Sequence, residues 1–371
     1  MTRQWMAWVL AGLLAAALAG CGSGSAHNAD GTDPDLHAVA TFANREPAGV
    51  AVARDGRIFV SFPDWSKRHD ISLARLQAGR AVPFPDRRWN RWQPGDNAAS
   101  RFIDVHGLYL DDRDHLWALD SGRPPGAGVV PGGAKLVEMD PDSGRVLRVY
   151  HLAAALTPPG SDLVNVRVDT SHQAAYISDA GLGAIVVLDL SSGRGRRLLG
   201  DIDATRATPG YLLRVDGRPV RGRGGRPLVR DVDGLALSPQ DRYLYFHALS
   251  SDELYRIQTV ALLDNTLSRA ERAHLVEDLG TTSACDGMLM APDGTLYLAD
   301  PQRNAVLRYS SDFGLQRLVR DPRLQWPDSL ALGPHEHLYV SASQFQDSPL
   351  LGHQGFRTQP YRLFRFPLAQ R

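Results

Sequence analysis

Six times along the chain a short apolar strand opens on a trio of residues and is followed, at a nearly constant distance, by an aromatic residue in a second apolar run. The trios are Ala48-Gly49-Val50, His106-Gly107-Leu108, Val164-Asn165-Val166, Asp233-Gly234-Leu235, Asp286-Gly287-Met288 and Asp328-Ser329-Leu330. The aromatics Phe59, Trp117, Tyr176, Tyr245, Tyr297 and Tyr339 lie 10 or 11 residues beyond the middle residue of each trio. Between the two runs of the first and fifth copies sit Asp55-Gly56 and Asp293-Gly294, a dipeptide that favours the tight turn of a β-hairpin. The unit is therefore two antiparallel strands with the trio at the open end.

Successive copies are 58, 58, 69, 53 and 42 residues apart. Periods of about 40 to 50 residues or more, made of strands, belong to propeller blades of four strands each. The absence of a 3.6-residue apolar rhythm excludes a helical solenoid. The expected fold is all-β: a six-bladed propeller of four-stranded antiparallel blades. The run His37 to Phe42 alternates like a strand but precedes the first copy, and Tyr361 to Phe366 follows the sixth. An N-terminal strand completing the last blade would close the ring. Residues 201–231, which account for the longest spacing, read as a flexible loop over one face; Arg221-Gly222-Arg223-Gly224-Gly225-Arg226 lies within it and is too short and isolated to indicate an RNA-binding segment.

The first twenty residues carry a basic start at Arg3 and an apolar run from Trp5 to Leu18, as a secretory signal does. Leu18-Ala19-Gly20-Cys21 matches a lipobox, with ordinary cleavage near Ala19 as the alternative. Division of the chain follows: a signal peptide at 1–20, a flexible tether at 21–36 and the propeller at 37–371. The expectation is a secreted lipoprotein held at a bacterial envelope membrane through Cys21, outer-membrane in a diderm host because Gly22 follows. Cys285 is then the one remaining thiol, so no disulfide supports the ring. With 41 basic and 41 acidic residues the chain offers no electrostatic case for nucleic acid, and it is expected to act as a monomer.

In a meander the residue heading strand one and the residue ending strand two lie at the same end of the sheet. The heads are Ala48, His106, Val164 or Asn165, Asp233, Asp286 and Asp328. Tails in matching register are Phe62, Asp120, Asp179, Ala248 with His247 before it, Asp300, and Ala342 after Ser341. One mouth of the ring should therefore gather His106, Asp120, Asn165, Asp179, Asp233, His247, Asp286, Asp300 and Asp328 as candidate ligand-binding groups. Asn165, Asp233, Asp286 and Asp328 are an oxygen set suited to Ca2+ or another hard divalent cation. His106 is a candidate general base oriented by Asp120, or a satisfied histidine without a chemical role. No Gly-x-Ser-x-Gly elbow, His-Glu-x-x-His pair or phosphate loop is present.

The segments His106 to Gly122, Lys135 to Asp140, Ala175 to Gly181, Asp233 to Pro239 with Leu244 to Phe246, and Trp326 to Ser329 resemble the major royal jelly protein and insect Yellow family, over roughly residues 40 to 366. That resemblance implies a secreted six-bladed propeller whose cavity holds small molecules; some animal members bind biogenic amines or act on dopachrome, so a tautomerase-like activity is one expectation. Where the family has Leu-Asn-Asp, this chain has Leu163-Val164-Asn165. Asp233 to Pro239 and Asp286-Gly287-Met288 are also similar to the gluconolactonase and senescence-marker propellers, which implies a metal-dependent lactone hydrolase with a Glu, Asn and Asp set on the head positions. Here the first head is Ala48, with Glu46 two residues earlier. A protein-interaction scaffold without catalysis is the third expectation.

Overall fold

The computed structural model describes residues 31–65, 69–352, 357–358 and 360–368; the expected signal peptide and lipidation site, residues 1–20 and Cys21, lie outside them. Six four-stranded antiparallel sheets follow one another round a closed ring. First and second strands of the blades are Val50–Val52 and Ile58–Ser61, Val105–Leu110 and Leu116–Asp120, Leu163–Asp169 and Ala174–Asp179, Val232–Leu237 and Tyr243–Ala248, Met288–Met290 and Leu296–Asp300, and Pro327–Gly333 and His337–Ala342. The ring closes as the sequence suggested. His37–Phe42 pairs antiparallel with Tyr361–Pro367, with Thr41 opposite Arg362 and Phe42 opposite Tyr361, so the last blade draws strands from both ends of the chain.

Packing explains why the repeat is what it is. Six apolar clusters form, each shared by two neighbouring blades, and the repeated aromatics Phe59, Trp117, Tyr176, Tyr297 and Tyr339 are buried in them. Two of these rings keep a polar tip by local bonding: the Trp117 indole donates to Asp111 at 3.0 Å and the Tyr176 hydroxyl to Asp169 at 3.3 Å. The trio glycine answers a close backbone approach. A Cβ on Gly49 would stand 2.4 Å from the His106 carbonyl oxygen, and one on Gly287 would stand 2.1 Å from that of Asp328. Each blade thus presses its trio against the head carbonyl of the next.

Serines just before three of the tails bridge the same gap. Ser61, Ser178 and Ser341 donate to the head carbonyls of His106, Asp233 and Ala48 at 2.5, 2.7 and 2.5 Å, and each accepts from a trio N–H of its own blade. The last of these joins blade six to blade one, so closure rests on side chains as well as on the shared sheet.

One expectation is corrected here. Residues 201–231 are an ordered cap: Arg214–Val215 pairs with Arg218–Pro219, and Leu213, Val215, Val220 and Leu228 bury against Leu249, Ala284, Trp326 and Leu351. The tether is docked at its C-terminal end, where Leu36 is buried between blades five and six and the Asp33 N–H donates to Asp321 at 2.7 Å. In blade four, Ala273 and His274 end a short helix, Arg269–His274, and the fourth strand begins at Glu277.

Candidate functional site

The trios sit on irregular backbone. In blades two, three, four and six the register of strand one against strand two slips at the trio. A bulge there re-aims side chains that a regular pleat would send into the blade interface. The heads of these four blades, and those of blades one and five that precede unbulged strands, meet at the central channel: Ala48, His106, Val164, Asp233, Asp286 and Asp328 all line one chamber at its mouth, with Asn165 and Arg230. That chamber has about 40 Å³ of room, enough for an ion, a water or a terminal ammonium group. It shares Trp65, His106, Arg230 and Phe345 with a wider outer chamber of about 250 Å³. Trp65 and Phe345 pack with centroids 4.7 Å apart and their rings tilted by 52°, and Trp65 lies edge-on to His106 at 5.5 Å.

Around the inner chamber the acids are one-sided. Asp233, Asp286 and Asp328 come from blades four, five and six, while His106 comes from blade two across the ring. Burial pushes the Asp233 carboxyl up to about 6, with Arg230 opposing and Asp162 adding to the shift. Burial, then Asp328 and Asp233, holds Asp286 well above the usual carboxylate range. Asp328 is pushed to about 7 by burial and by Asp233.

Few partners relieve them. Asn165 donates to Asp233 Oδ1 at 3.0 Å, Trp326 Nε1 donates to Asp286 Oδ2 at 2.5 Å, and Arg230 Nη2 lies 3.8 Å from Asp233 Oδ2. No ion pair joins Asp286 or Asp328 to a cation among the described residues.

His106 is oriented by Asp104, with Nε2 2.9 Å from Asp104 Oδ2. Burial alone would lower its pKa; Asp104 and Asp162 outweigh burial and raise it to about 9. The partner expected from sequence, Asp120, is therefore replaced by Asp104, and a ring whose proton is held so firmly is better placed to donate a proton than to take one.

The tails do not reach the chamber. Asp120 is wholly buried and accepts from the N–H groups of Ile103, Asp104 and Gly122, each at 2.9 Å, and from Lys135 Nζ at 2.6 Å. Asp179 holds Ser161, the Asp162 N–H and Arg197. Asp300 holds Ser283, the Gln302 N–H and Arg303. His247 is wholly buried, bonded to the Ala248 carbonyl and Thr282, and burial lowers it to about 4, so it stays neutral.

A further set of acids, of which the sequence reading noted only Glu46, flanks the heads. Two residues before the heads of blades one to four stand Glu46, Asp104, Asp162 and Asp231, each paired with a cation: Arg357, His106, Arg230 and Arg206 respectively. The regular spacing is a signal that could have found them. Their partners Arg357, Arg230 and Arg206 come from loops outside the repeat, and nothing in the sequence marks them.

The oxygen donors suit a hard cation, but the three channel carboxylates do not converge. Among the described residues the one group of three possible ligands within 4.8 Å of one another is Asp111, His115 and Glu138, which is not at this mouth. There the Asp111 oxygens already accept from the Arg113 and His115 N–H groups and from Trp117. Asp233, Asp286 and Asp328 would have to swing together to hold an ion.

Fold and site together define a six-bladed propeller with an acidic pocket, roofed by aromatics, at one mouth of its channel. The sequence profile of the major royal jelly proteins matches residues 103–355, and the chain belongs to that family. It is similar to major royal jelly protein 5 of Apis mellifera, with 24% identity over 292 residues, 74% of this chain and 46% of that one. The chain spans about half the length of the curated relatives it matches. Among solved structures it is similar to a gluconolactonase from Xanthomonas campestris (TM-score 0.54, 14% identity, 90% of this chain and 89% of that one). A luciferin-regenerating enzyme is also similar (TM-score 0.51, 10% identity, 88% and 92%). At such identities these two likenesses concern the fold alone.

Proposed function

We propose that the channel mouth binds a small organic cation, its ammonium group in the inner chamber against Asp286 and Asp328 and its apolar part in the outer chamber beside Trp65 and Phe345. One observation carries this reading. Among the acids at this mouth, Glu46, Asp104, Asp120, Asp162, Asp179, Asp231 and Asp300 each have a cationic partner, and Asp233 has Arg230 at 3.8 Å; Asp286 and Asp328 have none among the described residues. Two buried carboxylates in one field repel each other and take up protons unless a cation joins them. The inner chamber has room for an ammonium head and the outer one for an aromatic ring. Protonated amines carrying an aromatic group combine both features.

Calorimetry with phenylethylamine and tryptamine tests this. Binding is expected for both, lost in Asp286→Asn/Asp328→Asn and absent for N-acetylated tryptamine, which carries no charge. Equal binding of the neutral amide would overturn it. A tautomerase-like step is the catalytic form of the same reading, with the His106 imidazolium as donor and Asp286 or Asp328 as acceptor.

The metal-dependent lactonase reading draws on the same acids, and one pair of measurements separates the two. Melting unchanged by EDTA and by added Ca2+, together with no hydrolysis of gluconolactone, removes it. Heat from none of the amines and no response to metal would leave a scaffold. The anchor at Cys21, and with it the envelope address, is part of the proposal: labelling with a fatty-acid analogue in a bacterial host should be lost in Cys21→Ser.

A further inference from the structure

A second cavity, away from the channel, lies beside the fourth strand of blade three (Gly195–Leu198) and has about 390 Å³ of room. Arg197, Arg206, Arg269 and Arg272 line it, against one acid, Asp201. Arg197 is committed to Asp179 at 2.7 Å. Arg272 is buried, and its guanidinium is held by the carbonyl oxygens of Ala261, Asp264 and Leu267 at 3.0, 2.7 and 3.1 Å, with no carboxylate among its partners. A buried cation with neutral acceptors alone keeps an unbalanced field. Arg269 stands three residues earlier on the same helix face, so both guanidinium groups serve one opening.

Asp201 indicates what the opening takes. Its side chain is 68% exposed, yet each oxygen is held by a different arginine: Oδ1 by Arg206 at 3.2 Å and Oδ2 by Arg269 at 3.3 Å. The residue adopts a left-handed conformation with φ of 66°. An exposed carboxylate so placed occupies the position of a free oxyanion, and it can swing into solvent when one arrives. The leucines Leu182 and Leu198 add an apolar wall for the carbon skeleton.

The geometry points to a site for a small molecule carrying at least two oxyanion groups, phosphoryl or carboxylate, with Asp201 as a displaceable stand-in. This proposal is independent of the amine reading, since the two cavities share no lining residue.

Calorimetry on the whole protein at low ionic strength, with pyrophosphate and with citrate as probes, tests it. Binding of at least one is expected; pyrophosphate alone would specify phosphoryl groups, and citrate alone would specify carboxylates. Asp201→Asn should tighten binding severalfold by freeing Arg269 and one nitrogen of Arg206, whose other nitrogen stays on Asp231 at 3.0 Å, and Arg269→Ala should weaken it about tenfold. Both positions are surface-exposed, so the melting temperature serves as a control for folding. Absence of heat with both probes in the wild type and in Asp201→Asn overturns the proposal. So does binding that follows ionic strength but ignores both substitutions, which is non-specific attraction. Asp286→Asn should leave anion binding unchanged.

Discussion

Asp120, Asp179 and Asp300 end second strands, while Asp233, Asp286 and Asp328 head first strands, at the same end of their sheets. The same side chain lives in opposite circumstances at the two positions. Each tail is wholly buried, receives backbone N–H groups from a loop of its own blade and faces a lysine or arginine. The heads lie on bulged or strand-opening backbone, face one another across a chamber and hold carboxyls raised by burial and mutual repulsion. Where an acid lies along the chain fixes which end of the ring it occupies. Strand phase, one residue either way, decides whether it staples a loop or faces a ligand.

The largest effect that could break this contrast falls on the tails. Lys135→Met leaves Asp120 charged, buried and unpaired, and breaking such a pair costs about 3–5 kcal/mol. Urea unfolding should show that loss, whereas Asp286→Asn should not. A comparable loss in both would mean that heads and tails do the same structural work. Next in size is Gly287→Ala. Its methyl would meet the Asp328 carbonyl oxygen at 2.1 Å, and the forced shift of one blade against the next should cost about 1–3 kcal/mol. An alanine tolerated there would deny that trio glycines answer backbone contact between blades.

The ring itself was legible because it is written in the repeat: strand, turn, strand and an aromatic in fixed register, six times, buried in every copy but Tyr245. Closure by His37–Phe42 was legible as well, since a seventh strand signal stood ahead of the first copy. The site was legible only as a mouth. Asp233, Asp286, Asp328, Asn165 and His106 meet there because the heads share a register, but Asp120, Asp179 and His247 do not, because bulges at the trio alter the phase between heads and tails, and Asp300 is held by Ser283 and Arg303 instead. The pairing of His106 with Asp104 was hidden for the same reason. Arg230, Trp65 and Phe345 come from loops with no periodicity, so nothing marked them in advance.

Titration gives a sharper contrast of intermediate size. The raised carboxyls of Asp233 and Asp328 mean that the folded protein holds protons there which the unfolded chain releases near pH 4. Their favourable protonation is complete below that pH and is lost as the pH rises through about 6 to 7. The raised His106 acts in the same direction over a later window, between about 6.5 and 9. The melting temperature of the ligand-free protein should therefore fall steadily from pH 5 to pH 9. Carboxylates paired with cations, such as Asp104 and Asp162, are held below their usual range and lose their contribution only at still lower pH. A melting temperature rising across pH 5 to 8 would show that the heads are not proton-laden as described.

The smallest expected change in stability is the most discriminating. Asp328→Asn removes one partner of a repelling set while keeping its shape, so unfolding free energy at pH 7.5 should stay within about 1 kcal/mol of wild type or rise slightly. The fall in melting temperature between pH 5 and 7.5 should flatten, since one of the groups responsible is gone. Amine binding should weaken, because one of two carboxylates awaiting a cation has been neutralised. A tail replaced in the same manner, Asp120→Asn, should do the reverse: lose stability at neutral pH by stranding Lys135 and leave the affinity of the channel for amines unaltered. If Asp328→Asn instead destabilised the fold while binding persisted, the acidic arc would be a part of the ring's framework, and the chamber would have to find its ligand by other means.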